Sequence, residues 1–322
     1  MTGTAIAPAA DPTLPQLAEA LRGYADAGMA VGTRRTYGSA WRAFTSWCAS
    51  VGAAPLPAEA ATVALYLTAR APNLAASTLA RHLAAIAAAH KAAGHAPPEH
   101  PSLERVWAGV KRTHGRPARK KRALVVEDLR RVIAKLPATR AGIRDRALIL
   151  VGFAGAMRRS ELAALSVGIP SAPVRAAFVA GGLEIHLDRA KGDQEGKGAI
   201  VAIPYGKRLC PVASLQAWLD AAAITKGAVF RAIDRHGRMS AAAITDKTVA
   251  DVVKRACRKA GLDPAAFAGH SLRSGLLTSA ADRGAAPDVL QRHARHTKFE
   301  VTAGYIQAGD RFRRNAAGKV GL

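Results

Sequence analysis

Gly269-His270-Ser271-Leu272-Arg273-Ser274-Gly275 is the stretch on which the reading of this chain turns. It brings together a histidine, which donates or shuttles a proton near neutral pH, and an arginine, a permanently charged fork that suits a phosphate. Upstream, Gly155-Ala156-Met157-Arg158-Arg159-Ser160-Glu161-Leu162 supplies a second arginine followed by an acid. Downstream come His296 and then Tyr305, whose phenol is able to attack phosphorus. In this order the three segments make a phosphate clamp with a nucleophile at its end.

Composition bounds the partners. The 322 residues fit one large or two ordinary domains, and 49% apolar residues suffice for a sizeable core. Against 23 Asp and Glu stand 47 Lys and Arg, a formal charge of +24. Such a surplus calls for a polyanion, and nucleic acid is the leading candidate. A GC-rich genome accounts for some of the arginine but not for the scarcity of acids. No segment pairs a basic face with a broad bulky apolar one, so a membrane partner is not expected. Cys48, Cys210 and Cys257 lie far apart with no CxxC pair. Neither a disulfide framework nor a thiolate zinc site follows, and a reducing cytoplasm is the natural compartment. The start, Met1 to Pro15, lacks the basic head and apolar run of a signal peptide, and no run of about 18 apolar residues occurs elsewhere.

The first third reads as helical. Leu17, Leu21 and Tyr24 recur at helical spacing in 14–27, and Tyr37, Trp41, Phe44 and Cys48 form a stripe in 33–51. Further helices are expected at 58–70, after Pro57, and at 77–93, with Leu79, Leu83 and Ile86 inward and Ser77 or Thr78 as cap. Pro97, Pro98 and Pro101 break the pattern before a short helix at 103–110. Seven Lys or Arg residues then fall between Lys111 and Arg122, interrupted by Gly115 and Pro117. They read as a basic linker that straps along a phosphate backbone.

Beyond it, helices are expected at 127–136, 140–154 and 160–165. Strands follow at 183–187 and 199–203, joined as a hairpin by the Gly-rich stretch 191–196. Helices resume at 212–222, 243–260, 272–283, 287–293 and about 301–305.

Arg158 with Glu161 three residues later, Lys191 in a hairpin, His270 with Arg273, then His296 and Tyr305 resemble the tyrosine recombinases, or phage-type integrases. Each motif alone is weak, yet five in order are specific, and the resemblance covers nearly the whole chain. It implies a mainly α fold with a small antiparallel sheet, in which a helical, SAM-like core-binding domain precedes an α+β catalytic domain. The expected boundaries are a disordered tail at 1–12, the core-binding domain at 13–112, the linker at 113–123 and the catalytic domain at 124–322.

The resemblance implies site residues one by one. Arg158 is similar to the first catalytic arginine, and Glu161 to the acid that orients its neighbours. Lys191 is similar to the hairpin lysine that protonates the leaving oxygen, with Lys197 as its competitor. His270 and Arg273 match the central motif, His296 stands where the family has His or Trp, and Tyr305 is the nucleophile. Arg295 occupies a position often held by glycine. The implied activity is site-specific cleavage and rejoining of duplex DNA through a 3′-phosphotyrosine, by a tetramer on two duplexes, with or without an accessory DNA-binding protein. No cofactor or metal is needed. Arg34, Arg35, Arg81, Lys111, Arg112, Arg116, Arg119, Lys120, Lys121 and Arg122 are the candidate DNA-binding cations. Phe312 and 320–322 are candidates for docking on a neighbouring subunit.

The residue types suit the chemistry. Attack on a phosphodiester builds charge on its non-bridging oxygens, which Arg158 and Arg273 are equipped to meet. A phenol ionises near pH 10 when unperturbed, and His270 or the positive surroundings would assist it. Lys191 or a neighbouring histidine would protonate the departing 5′-oxygen. Two rivals share the residues: a type IB-like topoisomerase, against which the core-binding unit speaks, and a DNA-binding protein of the same fold, which would not need a nucleophile. His293 and His296, three apart, mimic a metal pair but have no carboxylate or cysteine ligand nearby.

Overall fold

The computed structural model describes residues 31–116, 121–188 and 198–309, together with Leu17, Glu19, Gly28 and Met29. In the last helix, side chains are described as far as Tyr305. Outside the described residues lie the tail at 1–12 and, apart from Leu17 and Glu19, the expected helix at 14–27. So do Arg119, Lys120, Lys191, Lys197, Phe312 and 320–322. The chain divides into two compact units, residues 1–119 and 120–322.

In the first unit, α1 (Val31–Ser50), α2 (Ala60–Arg70), α3 (Ala76–Ala92) and α4 (Pro101–His114) share one core. Phe44 and Cys48 of the expected stripe are buried against Tyr66, Leu67, Leu79 and Ile86. The Phe44 and Tyr66 rings meet edge to face with centroids 5.1 Å apart. Buried His90 links two segments: its Nε2 accepts from the Ala58 amide at 2.8 Å and its Nδ1 donates to the Ile86 carbonyl at 2.8 Å. Two expectations are corrected. Neither Ser77 nor Thr78 caps α3, which starts after Ala75 without a side-chain cap. The short helix at 103–110 runs instead from Pro101 to His114, because proline at the first turn lacks only an amide that has no helical partner anyway. Lys111 and Arg112 therefore sit on the last turn of α4, where cations favour the helix terminus.

In the second unit, α5 (Val126–Ala134), α6 (Arg140–Ala154) and α7 (Arg159–Ala164) precede the sheet. Helix α6 is capped by Thr139, whose hydroxyl accepts from the Gly142 amide, and is buried along most of its length. The sheet joins β1 (Ser166–Val167), β2 (Val174–Val179), β3 (Gly182–Leu187), β4 (Ala199–Pro204) and β5 (Gly227–Ala228) in the order β4-β3-β2-β1-β5. β3 and β4 pair antiparallel as expected, and Leu183, Ile185 and Leu187 face the core with Val201 and Ile203. The sheet is mixed rather than wholly antiparallel, since β1 runs parallel to β2. Two residues are too few for alternation to reveal such a strand, and Ala176 and Ala177 weaken the strand signal of β2.

Helix α8 (Pro211–Ala222) is followed by a second small sheet of β6 (Arg231–Ile233) and β7 (Met239–Ala243). The helix expected from Ala243 begins only at Asp246 as α9 (Asp246–Lys259), because Thr245 caps it by accepting from the Thr248 amide at 3.1 Å. Helices α10 (His270–Asp282), α11 (Pro287–Ala294) and α12 (Phe299–Gly309) complete the unit. At Gly275 of the opening motif any β-carbon would collide with the Leu124 carbonyl. The segment before α5 crosses α10 at this point, with the Leu124 amide donating to the Ser271 carbonyl at 2.9 Å. Glycine is thus required for a close approach rather than for a turn.

Candidate active site

Arg158 leaves the turn that follows α6. Ala156 there adopts φ 45°, a left-handed conformation that its β-carbon opposes, and Arg158 becomes the residue before α7. Glu161, at the third position of α7, grips it twice. The Arg158 amide donates to Oε2 at 2.8 Å and its Nη1 to Oε1 at 2.7 Å. The acid thereby completes the helix start and fixes the guanidinium at once.

Arg273, in the first turns of α10, is 2% exposed. Its Nη1 donates to the Ala156 carbonyl at 2.7 Å and its Nη2 to the Ala294 carbonyl. One side chain thus ties the Arg158 turn to the end of α11. Burial first, then Arg158 and Arg295, bring its pKa down to about 10, so it stays cationic at neutral pH.

His270 begins α10, and its Nε2 lies 3.0 Å from the Tyr305 hydroxyl. Burial and then the arginines 273, 158 and 159 hold the imidazole below the ordinary histidine range. It is therefore mostly neutral at pH 7 and able to accept. Burial pushes the Tyr305 phenol up while Arg273 pulls it down. Desolvation outweighs the positive surroundings, so the hydroxyl keeps its proton and can donate it to His270. The ring packs against Leu277, Ala281, Leu290 and Ala294, which seat it between α10 and α11.

His296 stacks on Tyr305 with centroids 5.8 Å apart and planes at 12°. Its Nδ1 lies 2.9 Å from Oγ1 of buried Thr302, and burial, then Arg273 and Arg158, lower its pKa to about 4. Arg295 stands just before it at φ 56° and ψ 47°. Its Nη2 donates to Oε2 of Glu161 at 2.9 Å. His293 turns away, with Nε2 2.7 Å from the Ala154 carbonyl. Among the described residues, no group of three His, Cys, Asp or Glu could hold a metal ion.

Six residues singled out by motif thus converge: Arg158, Glu161, His270, Arg273, His296 and Tyr305. Lys191 lies outside the described residues. Arg295 and Thr302 are additions. The first was visible in the sequence only as an arginine where glycine is common, and the second only as a hydroxyl three residues before Tyr305.

The candidate DNA-binding cations are dispersed. Arg35 and Arg81 line one groove between α1 and α3, with Arg42, Thr78 and His82. Arg34, Lys111, Arg112 and Arg116 are exposed. Lys121 donates to the Ala265 carbonyl at 2.6 Å. Arg122 pairs with Asp128 at 2.7 Å and lies over the Phe267 ring. Both anchor the start of the second unit. No helix among the described residues is long and apolar enough to cross a membrane.

Arg158 and buried Arg273 beside a tyrosine, on a helical fold with a small sheet, are equipped for phosphoryl transfer. Residues 122–311, more than half of the chain, match the phage integrase family. An integrase/recombinase xerD homolog of Selenomonas ruminantium is 35% identical over 295 residues, covering 89% of this chain and 85% of that protein. Two solved structures share the fold. A lambda integrase dimer bound to a COC′ core site superposes with TM-score 0.58 at 15% identity, covering 93% of this chain and 77% of that one. The XerH site-specific recombinase in its post-cleavage complex with a palindromic difH substrate gives 0.57 at 16% identity, covering 81% and 72%. The chain belongs to the phage integrase family of tyrosine recombinases.

Proposed function

We propose that this protein is a site-specific DNA recombinase that cuts and rejoins duplex DNA through a covalent 3′-phosphotyrosine. The observation that carries the reading is the Tyr305 hydroxyl 3.0 Å from Nε2 of a largely neutral His270, beside buried cationic Arg273. In the first step the Tyr305 oxygen bonds to phosphorus, its proton passes to His270, and the bond from phosphorus to the 5′-oxygen breaks. Arg158 and Arg273 meet the charge that builds on the non-bridging oxygens. Glu161 and Arg273's two carbonyl bonds hold those forks ready beforehand, so little reorganisation is needed in the transition state. The departing 5′-oxygen takes a proton from Lys191 and leaves as a hydroxyl. Attack by a 5′-hydroxyl of another strand reverses the sequence, conserving the phosphodiester without ATP.

The helical unit at 13–112 serves as core-binding domain, 113–123 as linker and 124–322 as catalytic domain. The Arg35 and Arg81 groove contributes phosphate contacts. A tetramer on two duplexes, working in the cytoplasm, is the assembly that strand exchange between two sites requires. The test incubates wild-type and Tyr305→Phe protein with supercoiled plasmid carrying the DNA that flanks its own gene, in EDTA, and stops with detergent. A wild-type-only adduct at a 3′ end, with recombinant products, supports the reading. Relaxation without recombinants would favour a topoisomerase, and no adduct from wild-type protein would count against strand transfer.

A further inference from the structure

We propose that Arg295 is a positioning residue of the phosphate site, a third guanidinium that keeps Glu161 from neutralising Arg158 and braces the turn on which both phosphate-facing arginines depend. The inference rests on the strand-transfer reading above and names a group outside its motifs.

The backbone is the first indication. Arg295 caps α11 in the left-handed region, at φ 56° and ψ 47°, where glycine is unstrained and any β-carbon is opposed. A side chain held there against its backbone preference must recover stability through its own contacts. It is not a solvated cation, since its side chain is 8% exposed.

The contacts are the second. Glu161 has Oε1 filled by Nη1 of Arg158, and Oε2 filled by the Arg158 amide and by Nη2 of Arg295. The same Nη2 reaches the Ala156 carbonyl at 3.3 Å, which also receives Nη1 of Arg273 at 2.7 Å, and Nη1 reaches the Gly155 carbonyl at 3.4 Å. Arg295 therefore touches the anchor of Arg158 and the anchor of Arg273 together. Without it, Oε2 of Glu161 would lose a partner and the carboxylate would be free to draw Arg158 more tightly to itself.

Charge is the third. Arg158 and Glu161 alone cancel, whereas Arg158, Arg273 and Arg295 against one carboxylate leave a buried surplus of positive charge. Such a surplus is costly in isolation and is relieved by an anion. Nε of Arg295, moreover, is a buried nitrogen with no hydrogen-bond partner among the described residues, so the protein does not saturate this guanidinium. A phosphodiester, and more so its transition state, is an anion of the right sign.

The test uses the full chain as wild type, Arg295→Gly and Arg295→Lys. Glycine removes the guanidinium while relieving the left-handed backbone, so the variant should fold, as thermal unfolding would verify. Should it fail to fold, Arg295→Asn, which also tolerates this conformation, takes its place. Two quantities are read: affinity for inorganic phosphate, from stabilisation against heat, and the rate of adduct formation on the flanking-DNA plasmid. Arg295→Gly should lose both by on the order of 10- to 100-fold. Arg295→Lys, which keeps a charge beside Glu161, should recover most of the loss. A folded Arg295→Gly protein that holds phosphate and cleaves like wild type would overturn the proposal, as would a lysine variant no better than glycine. If wild-type protein makes no adduct, the strand-transfer reading fails. The phosphate comparison then still judges Arg295, because equal affinities in wild type and Arg295→Gly refute it independently.

Discussion

His270 and Tyr305, 35 positions apart in sequence, face each other with Nε2 and the phenolic oxygen 3.0 Å apart. Because burial keeps the imidazole largely neutral and the phenol protonated, this pair is poised for proton transfer before any substrate arrives. Tyr305→Phe should abolish adduct formation and leave DNA binding intact. His270→Ala should slow it by about 100- to 10,000-fold, the usual span for a positioned acid or base. Single-turnover assays on the flanking-DNA plasmid check both, and a His270→Ala enzyme as fast as wild type would refute the proton-transfer role.

The same shifts set a pH profile. Protonated His270 cannot accept, so cleavage should fall as the medium is acidified, with a midpoint below the ordinary histidine value near 6.5. His296 adds a stability effect. Its folded pKa of about 4 lies below the unfolded value, so between roughly pH 6.5 and 4 the unfolded chain binds the extra proton. Stability is thus complete above that window and declines as pH falls through it. Denaturant titrations of wild type and His296→Gln should differ in this slope; parallel curves would remove His296 as its source.

Glu161 pairs with both Arg158 and Arg295. Glu161→Ala should destabilise the fold by about 3–5 kcal/mol, since it leaves buried cations unmatched. Glu161→Gln, which retains an acceptor for the Arg158 amide, should cost less. A thermal melt of Glu161→Ala indistinguishable from wild type would show that the network is not under electrostatic tension.

Gly275→Ala tests the crossing of α10 by the segment before α5. The added methyl meets the Leu124 carbonyl, and relief requires a backbone shift costing about 1–3 kcal/mol. The loss should appear in the urea midpoint, and an unchanged midpoint would mean that the crossing is loosely held.

Arg35 and Arg81 line the groove between α1 and α3. Replacing each by alanine should weaken DNA binding across all sequences and flatten the dependence of log affinity on log salt by about 0.9 per lost phosphate contact. An unaltered salt slope would remove that face from the DNA interface.

Much of this was legible beforehand where local chemistry governs. The stripe of α1, the full extent of α6, the pairing of β3 with β4 and the convergence of six motif residues all follow from periodicity or from side-chain types that one reaction demands. The misses share a cause. β1, β2 and β5 to β7 are short or alanine-containing, and hold their conformation through neighbours rather than through intrinsic preference. The α3 cap failed because the Ser77 and Thr78 hydroxyls lie inside a helix that begins one residue earlier.

The sequence by itself determined the chemical inventory: a cationic chain with two arginines, two histidines and a tyrosine in order, and helices whose apolar stripes require two cores. Tertiary structure alone decided what those groups are worth to one another. Burial raises Tyr305 and lowers His270 and His296, and neither desolvation nor the nearness of Arg273 is written in linear spacing. It also turned Arg295 inward in a left-handed conformation, because only the folded chain sets Glu161 and the Ala156 carbonyl within reach of its guanidinium.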